Sequence, residues 1–197
     1  DGQVVRQSER FERYAAALER LAGAGVLREC RCSRSALARL PENQSRPVGT
    51  GEELFHPAHC LASAASTAPG HALRLRAPGG VVTFDDRSLG AQSVDVAGTV
   101  GDFVLRRRDG LYAYQLAVVV DDADQGITDV VRGCDLLSST ARQVLLQRAL
   151  GLPAVRYLHL PLAVDDRGRK LSKSEDAPAV VDRHGPAGQL VAVLRFL

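Results

Sequence analysis

Long apolar runs are missing from this 197-residue sequence, although 45% of its residues are hydrophobic. No run approaches the roughly 20 residues that a membrane-spanning helix needs. The N-terminal stretch DGQVVRQSER is polar and has no apolar core, so it does not have the pattern of a secretory signal peptide. We therefore expect a protein of one or two domains, with a hydrophobic core, in the cytoplasm.

A strong net charge is also missing, because 25 basic residues oppose 23 acidic ones and leave a formal charge of +2. This balance argues against a protein that coats nucleic acid with its whole surface, so any nucleic-acid contact must be local. Four cysteines with uneven spacing do not form a disulfide framework, and the remote Cys134 is expected to be a small buried apolar residue. Methionine is absent and residue 1 is Asp1, so we expect a fragment or a processed chain.

Lysine is nearly absent. Of the 25 basic residues only Lys170 and Lys173 are lysines, and both lie in the stretch DDRGRKLSKSED (165–176). The ammonium group of lysine is a compact, mobile point charge, whereas the guanidinium group of arginine is a rigid planar fork. The neighbouring glycine and serines add backbone freedom and hydroxyl groups. The stretch therefore fits a loop that follows a moving phosphate, and it equally fits a charged loop exposed to solvent.

Helical periodicity occurs in two places. Residues 8–22 form an amphipathic pattern with Ser8 as the expected N-cap, and 138–151 form a second helix that ends at Gly151. The segment 41–70 is rich in proline, glycine, serine and alanine, and is predicted to be mostly loop.

Strand patterns occur at 72–77 and 81–85, and the Pro-Gly-Gly turn between them predicts a hairpin. Another strand is predicted within 102–110. The three arginines 106–108 near its end would face either an RNA backbone or solvent, and the sequence does not decide between these.

The most apolar part of the chain is 111–133. Its first half is either a helix or a buried strand, and its end at 127–131 is predicted to be a short strand. After the helix 138–151 comes a β-rich run at 155–164, which leads directly into the lysine stretch. This order is typical of an open α/β sheet, in which ligands bind beyond the carboxyl ends of the strands.

Cysteine and histidine form two tight pairs of possible metal ligands. The first pair is Cys30 and Cys32, and the second is His56 and Cys60, with His59 as a substitute for His56. Thiolates and imidazoles at such spacing can close a tetrahedral zinc site, which would stabilise a segment with little core of its own. The alternative is a set of ordinary cysteines and surface histidines.

These pieces together resemble one family. The stretch RKLSKS (169–174) resembles the Lys-Met-Ser-Lys-Ser signature of class I aminoacyl-tRNA synthetases, with Leu171 in place of methionine. Two longer stretches, HLPLAVDDRGRKLSKS and DGLYAYQLAVVVDDADQGITDVVRGCDLL, are similar to the glutamate-specific branch. The motif CRC…HPAHC occurs where that branch carries its zinc knuckle. The resemblance covers nearly the whole chain in the same order.

The resemblance implies an α/β fold, namely the second half of a Rossmann-type class I catalytic domain with an inserted zinc-binding subdomain. It divides the chain into a helix of the catalytic domain (1–28) and the zinc-binding insertion (29–100). The second half of the catalytic domain (101–165) follows, and then the lysine loop with a C-terminal helical segment (166–197).

Within that branch, LYAYQLAVVVDD and KLSKSEDAPAV resemble the short paralogues of glutamyl-tRNA synthetase, the glutamyl-queuosine tRNA(Asp) synthetases. This resemblance implies ATP-dependent activation of glutamate and its transfer to the queuosine base in the anticodon stem-loop of tRNA(Asp), by a monomer. The alternatives are a fragment of a glutamyl-tRNA synthetase and a non-catalytic, zinc-containing remnant that binds RNA.

Residue roles follow from the same resemblance. Lys170, Ser172 and Lys173 would bind the phosphates of ATP, which enters with a magnesium ion as co-substrate, and would stabilise the departing pyrophosphate. Tyr114 and Arg132 match the glutamate-binding positions of the family, and an arginine can bind a carboxylate through two hydrogen bonds. From the residues alone, Arg132 could equally pair with a nearby aspartate, Asp129 or Asp135, and Tyr114 could be a core aromatic.

Two departures from the family pattern stand out. The phosphate-binding signature of the family, which resembles His-Ile-Gly-His, is expected upstream of residue 1, so we expect little activity from the 197-residue chain alone. The family commonly has tyrosine where this chain has His56. Histidine is the better zinc ligand, so we expect the metal site to be kept.

Overall fold

The computed structural model of the chain describes residues 4–45, 54–57, 70–164, 170 and 185–196. Within them the strands are β1 (Leu27–Cys30), β2 (Ala72–Leu75), β3 (Val82–Asp86), β4 (Gly90–Val94), β5 (Phe103–Arg106), β6 (Asp129–Gly133) and β7 (Arg156–Leu160). The α-helices are α1 (Phe11–Gly23), α2 (Arg34–Ala38), α3 (Pro41–Gln44), α4 (Val96–Thr99), α5 (Tyr114–Asp124), α6 (Leu137–Ala149) and α7 (Gly185–Phe196). Helices and strands are interspersed along the chain, which confirms the predicted α/β class.

The first sheet is antiparallel and has the strand order β1-β2-β5. Leu27 lies opposite Leu75, which in turn lies opposite Phe103, and all three side chains are almost completely buried. This apolar row crosses the sheet. It fixes the position of β1, and therefore of Cys30 at the end of that strand.

The second sheet has the order β4-β3-β7-β6. β7 runs parallel to β6, from Asp129 opposite Arg156 to Gly133 opposite Leu160, and α6 connects the two strands. This unit is the strand–helix–strand arrangement that the sequence predicts before the lysine stretch. β3 and β4 join the same sheet, although they lie within the range predicted to be the insertion.

The core lies where α5 packs against both α1 and α6, and where these helices pack against the sheets. Leu21, Leu116 and Leu146, one from each helix, are completely buried. Burial of one such leucine stabilises the fold by about 1.5–3 kcal/mol. The structure also decides the ambiguous start of 111–133, because α5 is a helix with buried residues on several faces. That distribution explains why periodicity alone gave no answer.

The start of α1 differs from the prediction. Ser8 is not its N-cap, because Ser8 lies in a short 3₁₀ turn and the helix begins at Phe11. Arg10 precedes the helix and donates from Nε to Asp121 of α5 at 2.6 Å, and the hydroxyl of Tyr14 donates to the same carboxylate at 2.8 Å. Burial and this hydrogen bond raise the pKa of Tyr14 to about 12. A tertiary contact, rather than a local cap, fixes this end of the helix.

The predicted hairpin between 72–77 and 81–85 is wrong. β2 pairs with β1 and β5, whereas β3 pairs with β4 and β7, so the Pro-Gly-Gly connection carries the chain from one sheet to the other. The hairpin that does form joins β3 to β4. The carboxylate of Asp86 accepts hydrogen bonds from the backbone N–H groups of Ser88 and Leu89, and thereby stabilises this turn.

The arginines at the end of β5 do not act as one surface. Arg106 is buried, while Arg107 is exposed and pairs with Asp109 at 2.6 Å. Arg106 therefore cannot face an RNA backbone. Among the described residues, none of the helices is both long and apolar enough to cross a bilayer.

Candidate functional site

Arg132 lies near the carboxyl end of β6, where its half-buried side chain meets β7 and α6. Its Nε atom donates to Nε2 of His159 at 3.1 Å, and its Nη2 atom donates to Oγ1 of Thr140 at 2.7 Å. The guanidinium carbon lies 5.4 Å from the centroid of the Tyr157 ring. β6 and β7 are parallel, so these groups gather at one end of the sheet, where ligands of open α/β sheets bind.

Neither aspartate that the sequence offered as an alternative partner holds Arg132. Asp129 lies at the other end of β6 and accepts two hydrogen bonds from Arg156, at 2.7 and 2.5 Å. These bonds lower the pKa of Asp129 to about 2. Asp135 accepts instead from Lys170.

A completely buried pair, Asp86 and His159, lies behind Arg132. The Oδ2 atom of Asp86 is 2.6 Å from Nδ1 of His159, and the carboxylate also accepts the backbone N–H of His159. Burial alone would raise the pKa of Asp86, but the hydrogen bonds from His159 and from the turn after β3 lower it overall. The carboxylate is therefore ionised at neutral pH.

Tyr114 is the first residue of α5, and 49% of it is exposed, so it is not a core aromatic. Burial raises the pKa of Tyr157, with Arg132 opposing this shift and Asp122 and Tyr114 adding to it. Burial raises the pKa of Asp122, and the positive charge of Arg132 opposes this rise. Arg132, one of the two predicted glutamate-binding residues, thus lies beside a buried tyrosine.

Lys170 is tied to the same end of the sheet. Its Nζ atom donates to Oδ2 of Asp135 at 2.5 Å, and its backbone forms an antiparallel bridge with Val164. Asp135 lies in the short 3₁₀ turn that follows β6. The other two predicted phosphate ligands, Ser172 and Lys173, lie outside the described residues.

Three of the four predicted metal ligands come together. The ligand atoms of Cys30, Cys32 and His56 all lie within 4.8 Å of one another, and the sulfur of Cys30 is 3.1 Å from Nε2 of His56. Cys30 and His56 are buried. Two sulfurs and one imidazole nitrogen at this spacing match the donor set that zinc prefers. Cys60 and His59 lie outside the described residues.

Backbone contacts position His56. Its N–H donates to the carbonyl of Val100 at 3.0 Å, and its carbonyl accepts from the N–H of Asp102 at 3.3 Å. Gly101 lies between these partners with φ +71°, and a Cβ atom there would stand 2.1 Å from the carbonyl oxygen of His56. The buried amide of Asn43 holds the preceding residue, Phe55, by bonds to both its N–H and its carbonyl.

Sequence reasoning missed several residues that build the site, namely Asn43, Asp86, Thr140 and His159. A signal existed for two of them. A histidine within the apolar run YLHLPL is unusual in a buried strand, and the sequence DDRSLG after a strand indicates an aspartate-stabilised turn. Cys134 was expected to be buried, but it is only half-buried in the 3₁₀ turn after β6.

Comparison with known families gives this architecture its class. The model of "tRNA synthetases class I (E and Q), catalytic domain" matches residues 1–186. The chain belongs to this family, and its mixed α/β sheets are those of the class I synthetase catalytic fold.

Individual relatives narrow the likeness. The chain is 56% identical over 180 residues to a protein of Xanthomonas axonopodis pv. citri named glutamyl-Q tRNA(Asp) synthetase, covering 91% of the chain and 55% of the relative. It is 50% identical over 198 residues to a protein of that name from Dechloromonas aromatica, covering 100% of the chain and 64% of the relative. The chain thus spans less than two thirds of the length of these relatives.

Solved structures show the same likeness at lower identity. The glutamate-tRNA synthetase of Elizabethkingia anophelis superposes with a TM-score of 0.69 at 26% identity, covering 85% of this chain and 36% of that one. A glutamate tRNA ligase of Elizabethkingia meningosepticum, in complex with its amino acid, gives a TM-score of 0.70 at 26% identity, covering 87% of this chain and 37% of that one.

Proposed function

We propose that the protein containing this chain activates glutamate with ATP and transfers it to the queuosine base in the anticodon of tRNA(Asp). The observation that carries this proposal is the identity of about half of all residues, over the whole chain, to proteins named glutamyl-Q tRNA(Asp) synthetase. The likeness to the two solved glutamate-tRNA synthetase structures is weaker, at 26% identity. This difference in identity favours the queuosine base of tRNA(Asp) over tRNA(Glu) as the acceptor.

The geometry around Arg132 supports glutamate as the amino acid. Its Nε and Nη2 atoms are held by protein groups, whereas its Nη1 atom has no partner among the described residues. A guanidinium group so oriented can donate to a carboxylate from its remaining N–H groups. Tyr114 is about half exposed, so its hydroxyl group offers a second polar group to the substrate. We assign both residues to glutamate binding.

The lysine stretch supports the activation step. In that step a carboxylate oxygen of glutamate attacks the α-phosphorus of ATP, and the bond to the β-phosphate breaks as pyrophosphate leaves with its magnesium ion. Lys170, Ser172 and Lys173 are assigned to the phosphates, because negative charge on the leaving group needs ammonium and hydroxyl donors. The pair Lys170–Asp135 holds one of these lysines at the end of the sheet that carries Arg132.

In the second step a nucleophilic group of the queuosine base attacks the carbonyl carbon of the activated glutamate, and AMP leaves. The chain has no strong net charge, so we assign tRNA binding to local surfaces. We assign the protein to the cytoplasm as a monomer.

We assign a structural zinc ion to Cys30, Cys32, His56 and Cys60, with His59 as the substitute for His56. The three described ligands support this, because their atoms already lie within 4.8 Å of one another. When bound, zinc would supply cross-linking rather than catalysis. It would join the end of β1 to the segment around His56, within the insertion (29–100) that we propose as a zinc-binding subdomain.

The test is pyrophosphate exchange into ATP by the natural protein, without tRNA. The proposal predicts exchange that depends on glutamate and is far slower with glutamine or aspartate. Glutamine lacks the negative charge of the glutamate side chain, and the side chain of aspartate is one methylene group shorter. No exchange, or exchange that is equal for the three amino acids, would contradict the assignment of substrate.

A further inference from the structure

His159 lies between two charged groups in the interior. Its Nδ1 atom is 2.6 Å from the carboxylate of Asp86, and its Nε2 atom is 3.1 Å from Nε of Arg132. Both the histidine and the aspartate side chains are completely shielded from solvent. The three side chains thus form a line from the end of β3, through β7, to the carboxyl end of β6.

The chemistry of the donors fixes the proton on the histidine. A guanidinium group can only donate hydrogen bonds, so Nε2 of His159 must accept from Arg132. The proton of a neutral imidazole then lies on Nδ1, which donates it to the carboxylate of Asp86. A doubly protonated ring would direct an N–H group at the N–H of Arg132.

Thr140 completes this arrangement. Its Oγ1 atom accepts from Nη2 of Arg132 at 2.7 Å and lies 3.1 Å from Nε2 of His159. Arg132 is therefore held at two atoms on the same side of its guanidinium group. Rotation of the side chain would break both bonds.

We propose that Asp86 and His159 are positioning residues for Arg132. Asp86 fixes the histidine in the tautomer with the proton on Nδ1, and His159 then holds the guanidinium group in the orientation that binds the carboxylate of the substrate. This role rests on the proposed function, because it takes Arg132 to be a glutamate ligand. Because the side chain of Arg132 is already ordered in the free protein, substrate binding does not have to supply the free energy of ordering it. The affinity for the substrate is therefore higher.

Asp86→Asn tests the role most sharply. Oδ1 of Asp86 accepts from Ser88 and Leu89, so an asparagine keeps its oxygen there and turns its NH₂ group towards Nδ1 of His159. The ring must then accept at Nδ1 and carry its proton on Nε2, facing the N–H of Arg132. We expect the KM for glutamate to rise about tenfold, while the KM for ATP stays within about twofold.

The matched control is Asp85→Asn, at the exposed neighbouring position on β3, which should leave both KM values unchanged. A second pair of variants covers the histidine. His159→Gln keeps an acceptor near the place of Nε2 and should retain more glutamate affinity than His159→Leu. A merely structural role would affect glutamate and ATP alike.

The tautomer is measured directly in the unsubstituted natural protein, by NMR with ¹⁵N-labelled histidine. We expect a protonated Nδ1 and an unprotonated Nε2 on His159. A proton on Nε2, or an active Asp86→Asn variant with unchanged KM for glutamate, would overturn the positioning role. Absence of glutamate-dependent exchange in the unsubstituted protein would instead contradict the proposed function, and the NMR result would still decide the tautomer.

Discussion

The ammonium group of Lys170 lies 2.5 Å from Oδ2 of Asp135. Asp135 is the second residue after β6, the strand that carries Arg132. Two segments that are far apart in the sequence thus meet at the carboxyl end of β6. The proposed reaction needs this arrangement, because glutamate held at Arg132 would have to reach the α-phosphorus of an ATP whose departing phosphates the lysines would hold.

Lys173 gives the first prediction. Lys173→Ala in the natural protein should lower the rate of pyrophosphate exchange about a hundredfold and change the KM for glutamate little, because the charge that it stabilises peaks in the transition state. Lys173→Arg should rescue only in part, since a rigid fork replaces a mobile point charge. Arg169→Ala is the control for loss of charge in the same stretch and should be milder. Full activity of Lys173→Arg would show that the choice of lysine has another reason.

Arg132 gives the second prediction. Arg132→Ala should raise the KM for glutamate at least about a hundredfold and leave the KM for ATP within a few fold, because a charge-assisted carboxylate contact is lost. Arg132→Lys should restore only part of the affinity. Arg156→Ala is the matched control. It removes an arginine from the neighbouring strand β7, where Arg156 pairs with Asp129 at the opposite end of the sheet from Arg132. Equal losses for glutamate and ATP would remove Arg132 from the amino-acid site.

The metal site gives the third prediction. The natural protein, purified under reducing conditions without chelator, should contain about one zinc ion per chain by elemental analysis. Cys30→Ala should abolish it, because the sulfur of Cys30 lies beside the ring of His56. Cys134→Ala removes a half-buried cysteine outside the cluster and should keep the metal. Unchanged zinc content in Cys30→Ala would refute the assignment.

Gly101 gives the fourth prediction. Gly101→Ala and Gly126→Ala place alanine at nearly the same left-handed φ, +71° and +67°, so each should lose about 1 kcal/mol of unfolding free energy for the backbone alone. Only at Gly101 would the new Cβ collide with the carbonyl of His56. We therefore expect a clearly larger loss for Gly101→Ala in urea unfolding, together with weaker zinc retention. Equal losses would mean that the contact between Gly101 and His56 is not tight.

Asp129 gives the fifth prediction. Its pKa in the folded protein is about 2, below the ordinary value of about 3.9 in an unfolded chain. The stability that this shift contributes is fully present above pH ~4 and is lost as the pH falls towards 2. The difference in unfolding free energy between the unsubstituted protein and Asp129→Asn should therefore narrow over that range. Arg156→Gln, which removes the partner, should show the same narrowing; a constant difference would contradict the pairing.

Local patterns predicted the parts of the fold that depend on neighbouring residues. The unit from β6 through α6 to β7 was predicted because strand composition and the stop at Gly151 are local signals, and α6 ends where expected. The sequence also paired Cys30 and Cys32 with His56, because thiol and imidazole groups at tight spacing are rare outside metal sites. Their proximity in the structure agrees with this interpretation.

Tertiary pairing decided the rest. Whether β3 joins β2 or β7 depends on strands more than 70 residues away in the chain, at positions such as Tyr157, which no turn motif encodes. The partners of Arg132 could not be predicted for the same reason. His159 and Thr140 reach it only because β7 and α6 fold against β6. The sequence could therefore offer only the nearby Asp129 and Asp135 as alternative partners of Arg132, and the structure pairs neither with it.

The central claim is tested most directly by incubating the natural protein with labelled glutamate, ATP and one tRNA at a time: tRNA(Asp) that contains queuosine, tRNA(Asp) that lacks it, or tRNA(Glu). The account predicts stable incorporation of label only into the queuosine-containing tRNA, and recovery of that label in the anticodon fragment after nuclease digestion. Arg132→Ala should abolish the incorporation under the same conditions. Label on the 3′ end of tRNA(Glu), or equal labelling of both forms of tRNA(Asp), would contradict the account.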